Sequence, residues 1–369
     1  MSRGHEKKQT VLFSMATVES LVERKLPADH PLRSIKAQTN AVLVALDAEF
    51  DEVYSGLGRP SIPPERILRA QLWQALFSIR SERQLEESLR YDLRCRWFVG
   101  LSLDEDAWDH STFSKLRDSV QLETISELFF ERHLKFLRAA DLLSDDHLSV
   151  DGSLLAAWAS HKSLVKMEDL DKDGKPPKPP EGGRNGWVDF KGEKRSNATH
   201  VSATDPEARL ASKGVGAKLS HELHVVSENR HNFAIAMIVT PPTGTSEREA
   251  AEHLIRHEAN EGRTPETVGA DRKYSDGDKL VLGMLALGVM PHFAARDDRP
   301  NAGARSFHDD AGYPISMRFR MRIEEIFGYV KNVCGLAKVK VRGTFRVWGK
   351  SLIALAAYNL THEARLRLA

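Results

Sequence analysis

Three acidic residues stand at positions from which their carboxylates could share a metal ion. Asp151 ends the strand-like segment HLSVD, Asp271 ends the strand-like segment ETVGAD, and Glu324 lies in the helical segment RFRMRIEEIFGYVK. Strand ends of a mixed sheet lie side by side at one rim, and a helix packed across that rim can add a third carboxylate. The sequence therefore permits one acidic cluster built from three elements.

Such a cluster suits divalent cations and phosphoryl chemistry. Mg²⁺ binds one or two carboxylates together with waters and substrate phosphates. Two ions ~3.5 to 4 Å apart can activate the attacking oxygen and stabilise the leaving oxygen of an in-line displacement. Each residue also has an ordinary alternative, because Asp at a strand end often caps a turn and Glu in a helix is usually solvated. Glu325 adjoins Glu324, but neighbouring helix positions point ~100° apart, so at most one of the two faces the metals.

The part of the chain after His147 predicts a mixed sheet with flanking helices, an α/β fold. Strand-like segments at 199–205, 218–227 and 233–240 predict an antiparallel start. Alternating helical and strand-like segments follow, in a βαβαβ pattern that needs parallel pairing. A last portion, at about 317–368, is helical again.

The part before His147 has a different pattern. From about Val11 to Ala140 apolar residues recur at helical spacing, and Ser81 stands where a helix N-cap belongs. An all-helical N-terminal domain at 1–143 and a second domain at 144–369 are therefore expected.

One segment of the second domain has a composition unlike the rest. The stretch at about 163–198 is so rich in Lys, Asp, Pro and Gly that it buries little apolar surface to offset its ordering entropy. We expect it to be a mobile loop.

Overall composition excludes some classes of protein. The formal net charge is only +1, so a role with nucleic acid must depend on local basic patches. Cys95 and Cys334 are the only cysteines, which excludes a disulfide framework or a thiolate zinc site and fits a reducing cytosol. The sequence has neither a signal-peptide pattern nor an apolar stretch of the ~18 to 20 residues that span a bilayer, so we expect neither export nor a membrane partner.

Four short motifs occur in a fixed order. They are VDGS at 150–153, ATDPEAR at 203–209, GADRKYSD at 269–276, and an R-x3-E-x6-K signature formed by Arg320, Glu324 and Lys331. In these motifs the chain resembles the DDE transposases of bacterial insertion sequences, specifically the insertion sequence 5 group. The resemblance covers nearly the whole length. One departure is Met317, which stands where the family usually has a tyrosine three positions before the signature arginine.

The resemblance implies a ribonuclease-H-like core preceded by a helical domain. It places the catalytic and metal-binding roles on Asp151, Asp271 and Glu324, with two Mg²⁺ ions per site, or Mn²⁺ in their place. Water would first cleave the transposon end, and the freed 3′-hydroxyl would then attack target DNA. The expected partners are the terminal inverted repeats and target DNA, bound by a homodimer in the cytoplasm at the nucleoid.

Basic residues near the motifs are expected to contact DNA phosphates. Residues 318–350 include nine Lys and Arg residues but only two acidic residues. This excess of positive charge would attract the DNA backbone in a salt-dependent way. Ordinary surface charge is the alternative. The predicted DNA contacts are Arg272, Lys273, Arg320, Lys331, Lys338, Lys340 and Arg342.

Other possibilities stay open at the level of sequence. A metal-dependent nuclease could use the same metals for hydrolysis alone, and a DNA-binding protein without catalysis could derive from the same family. The basic helices around residues 80–98 could recognise terminal repeats or serve dimerisation. Asp205 could be a fourth acid at the rim or could cap a turn before Pro206. Zinc at His221 and His224 is disfavoured because their odd separation in a strand puts them on opposite faces.

Overall fold

The structure, a computed structural model, is a mixed α/β arrangement in two compact units. It describes residues 17–53, 62–117, 121–171, 195–214, 216–275, 278–294, 307 and 309–368. The first unit contains the described residues up to Leu143 together with Gly328–Gly335 and the described part of Gly349–Ala369. The second unit contains Ser144–Phe327 and Leu336–Trp348.

Helices make up the regular structure of the first unit, as the apolar spacing predicts. Ser81 caps one of them, since its hydroxyl accepts a hydrogen bond from the N–H of Gln84 at 3.2 Å. The helices up to Leu143 are α1 (Val18–Lys25), α2 (Pro31–Val44), α3 (Asp47–Val53), α4 (Pro64–Leu76), α5 (Glu82–Tyr91), α6 (Leu93–Val99), α7 (His110–Arg117) and α8 (Gln121–Ala139).

The last helix of the chain, which we number α13 (Thr344–Leu368), contributes most of its length to the first unit. Glu363 in α13 bonds to His133 in α8 at 2.9 Å, and both side chains are buried. Gly349 lies directly against Glu123, where a Cβ would come within 2.5 Å of the glutamate Cγ. The division therefore differs from the predicted domains, because α13 is buried against helices that precede residue 144.

The second unit contains the strands and the remaining helices. Its strands are β1 (His147–Ala156), β2 (Leu164–Lys166), β3 (His200–Ser202), β4 (Arg209–Ala211), β5 (Lys218–Glu228), β6 (Ala234–Thr240), β7 (Thr267–Ala270) and β8 (Met290–Phe293). Its helices are α9 (Ser246–Asn260), α10 (Asp278–Ala286), α11 (Tyr313–Arg320) and the start of α12 (Ile323–Asn332).

Six of the strands form one mixed sheet in the order β4-β5-β1-β7-β8, and β6 also pairs with β5. β1 runs antiparallel to β5 and parallel to β7, and β7 runs parallel to β8. The predicted parallel pairing is present between β7 and β8, which α10 joins, whereas β6 pairs antiparallel with β5 and not with β7. The prediction of a three-strand antiparallel start is wrong in one respect, because β3 pairs with β2 in a separate two-stranded sheet.

The predicted single helix RFRMRIEEIFGYVK is broken in two. α11 ends at Arg320 and α12 begins at Ile323. The side-chain amide of Asn232 donates to the carbonyl of Arg322 at 2.9 Å, and the Arg322 guanidinium donates to the carbonyl of Asn229 at 3.3 Å. The turn between β5 and β6 therefore holds the junction of the two helices.

Two expectations concern mobility and membranes. The predicted mobile loop at 163–198 lies largely outside the described residues, which omit 172–194. Its described beginning contains β2 and a short 3₁₀ turn at Met167–Asp169. Among the helices that the structure describes, none combines the length and the apolar character needed to cross a bilayer.

Candidate active site

Asp151 and Asp271 lie at matching distances beyond the last paired residues of two neighbouring parallel strands. The last residues paired between β1 and β7 are Ser149 and Gly269, so each aspartate lies two residues beyond this pair. Asp271 follows the end of β7 directly, as predicted. Asp151 is not at the end of its strand, because β1 continues along β5 as far as Ala156.

The environment of Asp151 makes its carboxyl harder to ionise than that of a free aspartate. Burial raises the pKa of Asp151 to about 6, and the charges of Asp271 and Glu247 act in the same direction. The N–H of Gly152, which donates to Asp151 Oδ1 at 2.8 Å, and the ammonium of Lys213 act against this rise. The structure therefore brings Asp151 and Asp271 close enough for their charges to interact.

Glu324 occupies the first turn of α12 and is exposed, as is Glu325. Among the described residues, three ligand atoms from His, Cys, Asp or Glu come within 4.8 Å of one another at a single place, formed by Glu86, Asp109 and His110 in the first unit. The structure thus pairs two of the predicted ligands and does not bring Glu324 into a group of that size with them.

The donors at the paired aspartates fit a hard divalent cation. Carboxylate oxygens are the ligands that Mg²⁺ and Mn²⁺ prefer. Burial is the main cause of the raised pKa of Asp151, and a divalent cation held by Asp151 and Asp271 would relieve the repulsion that adds to it. These two residues would hold such an ion.

An ionic network centred on the half-buried Glu247 lies beside the paired aspartates. Lys213 donates to the carbonyl oxygen of Gly152 at 2.6 Å, and its Nζ lies 2.9 Å from Oε1 of Glu247. Lys273 lies 3.5 Å from the other oxygen, Oε2, of Glu247. Burial acts to raise the pKa of Glu247, but Lys213 and Lys273 outweigh it and keep that pKa below its ordinary value. Glu247 is therefore ionised at neutral pH.

Sequence reasoning did not find this network. Glu247 stands in the acidic first turn of α9, where carboxylates usually serve the helix dipole. Lys213 belongs to a polar connection between β4 and β5. Gly152 is the local sequence feature that could have indicated this network, because a Cβ on it would lie 3.2 Å from Cγ of Glu247. A glycine next to a predicted metal ligand indicates a close approach by another group.

Tyr274 lies in the interior next to the same carboxylates. Its side chain is fully buried, and burial together with the charges of Asp151 and Glu247 raises its pKa well above the ordinary value. Its hydroxyl has no hydrogen-bond partner among the described residues. The Tyr274 side chain is thus a buried, uncharged neighbour of these carboxylates. Asp276, at the end of the same motif, lies outside the described residues.

Three of the predicted DNA contacts alternate with buried residues in the segment at 338–342. Val339 and Val341 are buried, whereas Lys338, Lys340 and Arg342 between and beside them are exposed. The N–H of Val339 donates to the carbonyl of Ala156 at 2.9 Å. We call Lys338, Lys340 and Arg342 the basic face. It lies beside the carboxyl end of β1.

The other predicted DNA contacts lie on separate elements. Arg272 and Lys273 are exposed in the turn after β7. Arg320 is half-buried at the end of α11, and its Cβ lies 3.6 Å from the position of a Cβ on Gly269. Lys331 is half-buried in α12, so Arg320 and Lys331 do not share one continuous helix as predicted.

Asp205 has a structural role, so the turn-forming alternative describes it better than a place in the acidic cluster. It is fully buried, accepts from His221 Nε2 at 3.0 Å and accepts from the N–H of Gly343 at 3.2 Å. Glu207 in the same motif accepts from the N–H of Thr344 at 2.7 Å. The motif ATDPEAR therefore supports the start of α13. His224 bonds elsewhere, to Thr240 at 2.8 Å.

Two parts of the chain match models of known protein families. Residues 198–360 match the family model described as Transposase DDE domain. Residues 20–119 match the family model described as Transposase domain (DUF772). Together the two matches support a DDE-family transposase, an enzyme that cleaves and transfers DNA strands. Asp271 and Glu324 lie inside the DDE match, and Asp151 precedes it. No match was found among curated proteins or among solved structures.

Proposed function

We propose that this chain is a transposase that cleaves DNA at transposon ends and joins the freed 3′-hydroxyl to target DNA. The observation that carries the proposal is the position of Asp151 and Asp271, two residues beyond the last pair of neighbouring parallel strands. With Glu324 they form the proposed metal-binding triad. The insertion sequence 5 group is the proposed subfamily.

The order of the strands supports a ribonuclease-H-like core. On one side of β1 lie β5 and β6, which alternate in direction, and on the other side lie the parallel strands β7 and β8. Helix α11 packs against β1, β7 and β8. Its end at Arg320 leads directly to the first turn of α12, which carries Glu324. Glu324 is the proposed third ligand because it is the acidic residue of the R-x3-E-x6-K signature.

The residues of the chain orient the reacting groups. Two divalent cations, Mg²⁺ in the proposal, would lower the pKa of an attacking water or hydroxyl and stabilise the leaving oxygen. Asp151 is fixed by β1 and by the N–H of Gly152. Asp271 is fixed by the N–H of Lys273, which donates to its Oδ1 at 2.8 Å. Both carboxylates are thus held with oxygens available for ligation.

The proposed DNA partner is double-stranded and includes both inverted repeats and the target, bound by a homodimer at the nucleoid in the cytoplasm. The basic face would contact phosphates beside the site, and Arg272 with Lys273 would do so next to Asp271. The helical first unit is proposed to bind the inverted repeats in a sequence-specific way.

The test is Mg²⁺-dependent cleavage of DNA that carries the inverted repeats flanking the gene. Asp151→Asn, Asp271→Asn and Glu324→Gln should each lower cleavage by more than about 100-fold, because even the outer partners of metal ligands change activity by ~10- to 100-fold. Binding of the same DNA in EDTA should persist. Glu325→Gln is the matched control and should cleave like the wild type. Undiminished cleavage by any triad variant contradicts its assignment.

A second assay distinguishes strand transfer from hydrolysis. DNA with a pre-cleaved 3′ end should be joined to a target plasmid by the wild type. Cleavage without joining would identify a metal-dependent nuclease instead. Repeat binding without cleavage would identify a DNA-binding protein that has lost catalysis.

A further inference from the structure

Glu247 contacts the surroundings of both aspartates through two different lysines. Its Oε1 pairs with Lys213 at 2.9 Å and its Oε2 pairs with Lys273 at 3.5 Å. The Glu247 side chain is 15% exposed, whereas the side chains of Lys213 and Lys273 are 39% and 51% exposed, so water partly screens both pairs. The Glu247 carboxylate therefore pairs with two lysine ammonium groups that come from different segments of the second unit.

Each lysine is in turn fixed to one side of the metal-binding pair. Lys213 donates to the carbonyl oxygen of Gly152, the residue after Asp151. Lys273 lies in the turn whose own N–H donates to Asp271 Oδ1. A continuous series of contacts thus runs from the strand segment that carries Asp151 to the turn that carries Asp271, with the Glu247 carboxylate at its centre.

We propose that Glu247 is a positioning residue that fixes the separation of Asp151 and Asp271 for a shared divalent cation. The inference rests on the proposed function, because it assumes that these aspartates bind metal. Both carboxylate oxygens of Glu247 pair with lysines. We therefore assign Glu247 to orienting the metal ligands and not to binding the metal itself. Groups that orient metal ligands typically change metal affinity by ~10- to 100-fold when removed.

Other groups near Glu247 support its placement. Arg248 donates to the carbonyl of Lys273 at 3.4 Å, which ties the same turn to α9. Glu222 lies beside Glu247, and burial raises its pKa. Ser246 donates to Glu222 Oε2 at 2.6 Å. Lys213 Nζ also lies 3.9 Å from Oε1 of Glu222, whereas Glu247 contacts both Lys213 and Lys273 and lies closer to Lys213.

The experiment measures Mn²⁺ binding by electron paramagnetic resonance on the full chain without DNA. Glu247→Gln should weaken Mn²⁺ binding by about 10-fold or more, while binding of end DNA in EDTA stays within about twofold of the wild type. The matched control is Glu252→Gln on the same helix, whose carboxylate pairs with Arg256 and Lys279. It should bind Mn²⁺ like the wild type. High Mn²⁺ should restore part of the cleavage lost in Glu247→Gln.

The outcomes separate this inference from the proposed function. If the wild type binds Mn²⁺ and cleaves DNA, and Asp151→Asn does neither, equal Mn²⁺ affinity in Glu247→Gln and wild type overturns the positioning role alone. If the wild type neither binds Mn²⁺ nor cleaves, both ideas fail. Should Glu247→Gln not fold, Lys273→Met replaces it, since it removes the contact on the Asp271 side only. Unchanged Mn²⁺ affinity in that variant also overturns the inference.

Discussion

His224 lies directly against Gly152, so that a Cβ on the glycine would be 3.0 Å from the imidazole Nδ1. His224 has little freedom to move away, because it is buried and its other nitrogen bonds to Thr240. Burial lowers the pKa of His224 to about 4, so a neutral ring occupies this space. The glycine after Asp151 is therefore required by packing.

Gly152→Ala should destabilise the protein. Overpacking costs ~1 to 3 kcal/mol, which exceeds the ~0.4 to 1 kcal/mol gained when alanine restricts the unfolded chain. The free energy of unfolding in urea should fall by about 1 to 2 kcal/mol. Gly244→Ala is the control, because no atom lies within 4 Å of its added Cβ. A Gly152→Ala protein as stable as the wild type would show that His224 and Glu247 can move aside.

Glu363→Gln should destabilise the first unit in a pH-dependent way. Burial acts to raise the pKa of Glu363, but His133 and Arg367 outweigh it and hold the pKa below its ordinary 4.5. The stabilisation is thus fully present above pH 4.5 and is lost as the pH falls through the lowered pKa. We expect a loss of about 2 kcal/mol at pH 7, the usual range for a hydrogen bond to a charged group, and a smaller loss at pH 3.5.

Urea unfolding at the two pH values checks this expectation. Glu52→Gln, on an exposed position of α3, should change stability by less than about 0.5 kcal/mol at both. An effect of Glu363→Gln that grows as the pH falls would contradict the assigned direction of the pKa shift.

Glu207→Ala should weaken the start of α13. The carboxylate accepts the N–H of Thr344, one of the helix donors that have no partner within the helix. Loss of such a cap costs about 1 kcal/mol, measurable as a lower midpoint of urea unfolding. Glu207→Gln keeps an acceptor oxygen and should lose less. Equal losses in both variants would indicate that the negative charge, not the hydrogen bond, stabilises the helix.

Substitution of the whole basic face by glutamine should weaken DNA binding and its salt dependence. Each phosphate contact adds roughly 0.9 to the slope of log K against log salt, so the slope should fall by up to about 2.7 when Lys338, Lys340 and Arg342 are replaced. Fluorescence anisotropy at several salt concentrations measures it. Lys279→Gln, at a highly exposed site on α10, is the control. An unchanged slope would remove the basic face from the DNA interface.

Local pattern was sufficient to predict several elements. The alternation of helices and strands after β6 follows from apolar period and turn residues, and it places Asp271 directly after β7. The Ser81 cap follows from side-chain chemistry alone. These features depend on residues close together in the chain, which is why the sequence predicts them well.

Features that depend on distant residues were not predictable in the same way. The break between α11 and α12 depends on Asn232, which binds the carbonyl of Arg322 ninety residues later. Asp151 lies within its strand because β5 extends the pairing of β1, a matter of register between separate segments. The bridge through Glu247 joins three such segments. No period or motif in one segment carries that information.

Helix α13 limits how the protein can be divided into separate expression fragments. Its start is held by Glu207 in the second unit, whereas Leu352, Leu355 and Leu360 are buried in the first. An expression fragment that begins at residue 144 would carry this apolar helix without the earlier helices that bury it. The complementary fragment would lack part of its own interior. Both pieces should therefore aggregate when produced separately, and co-expression should restore soluble material.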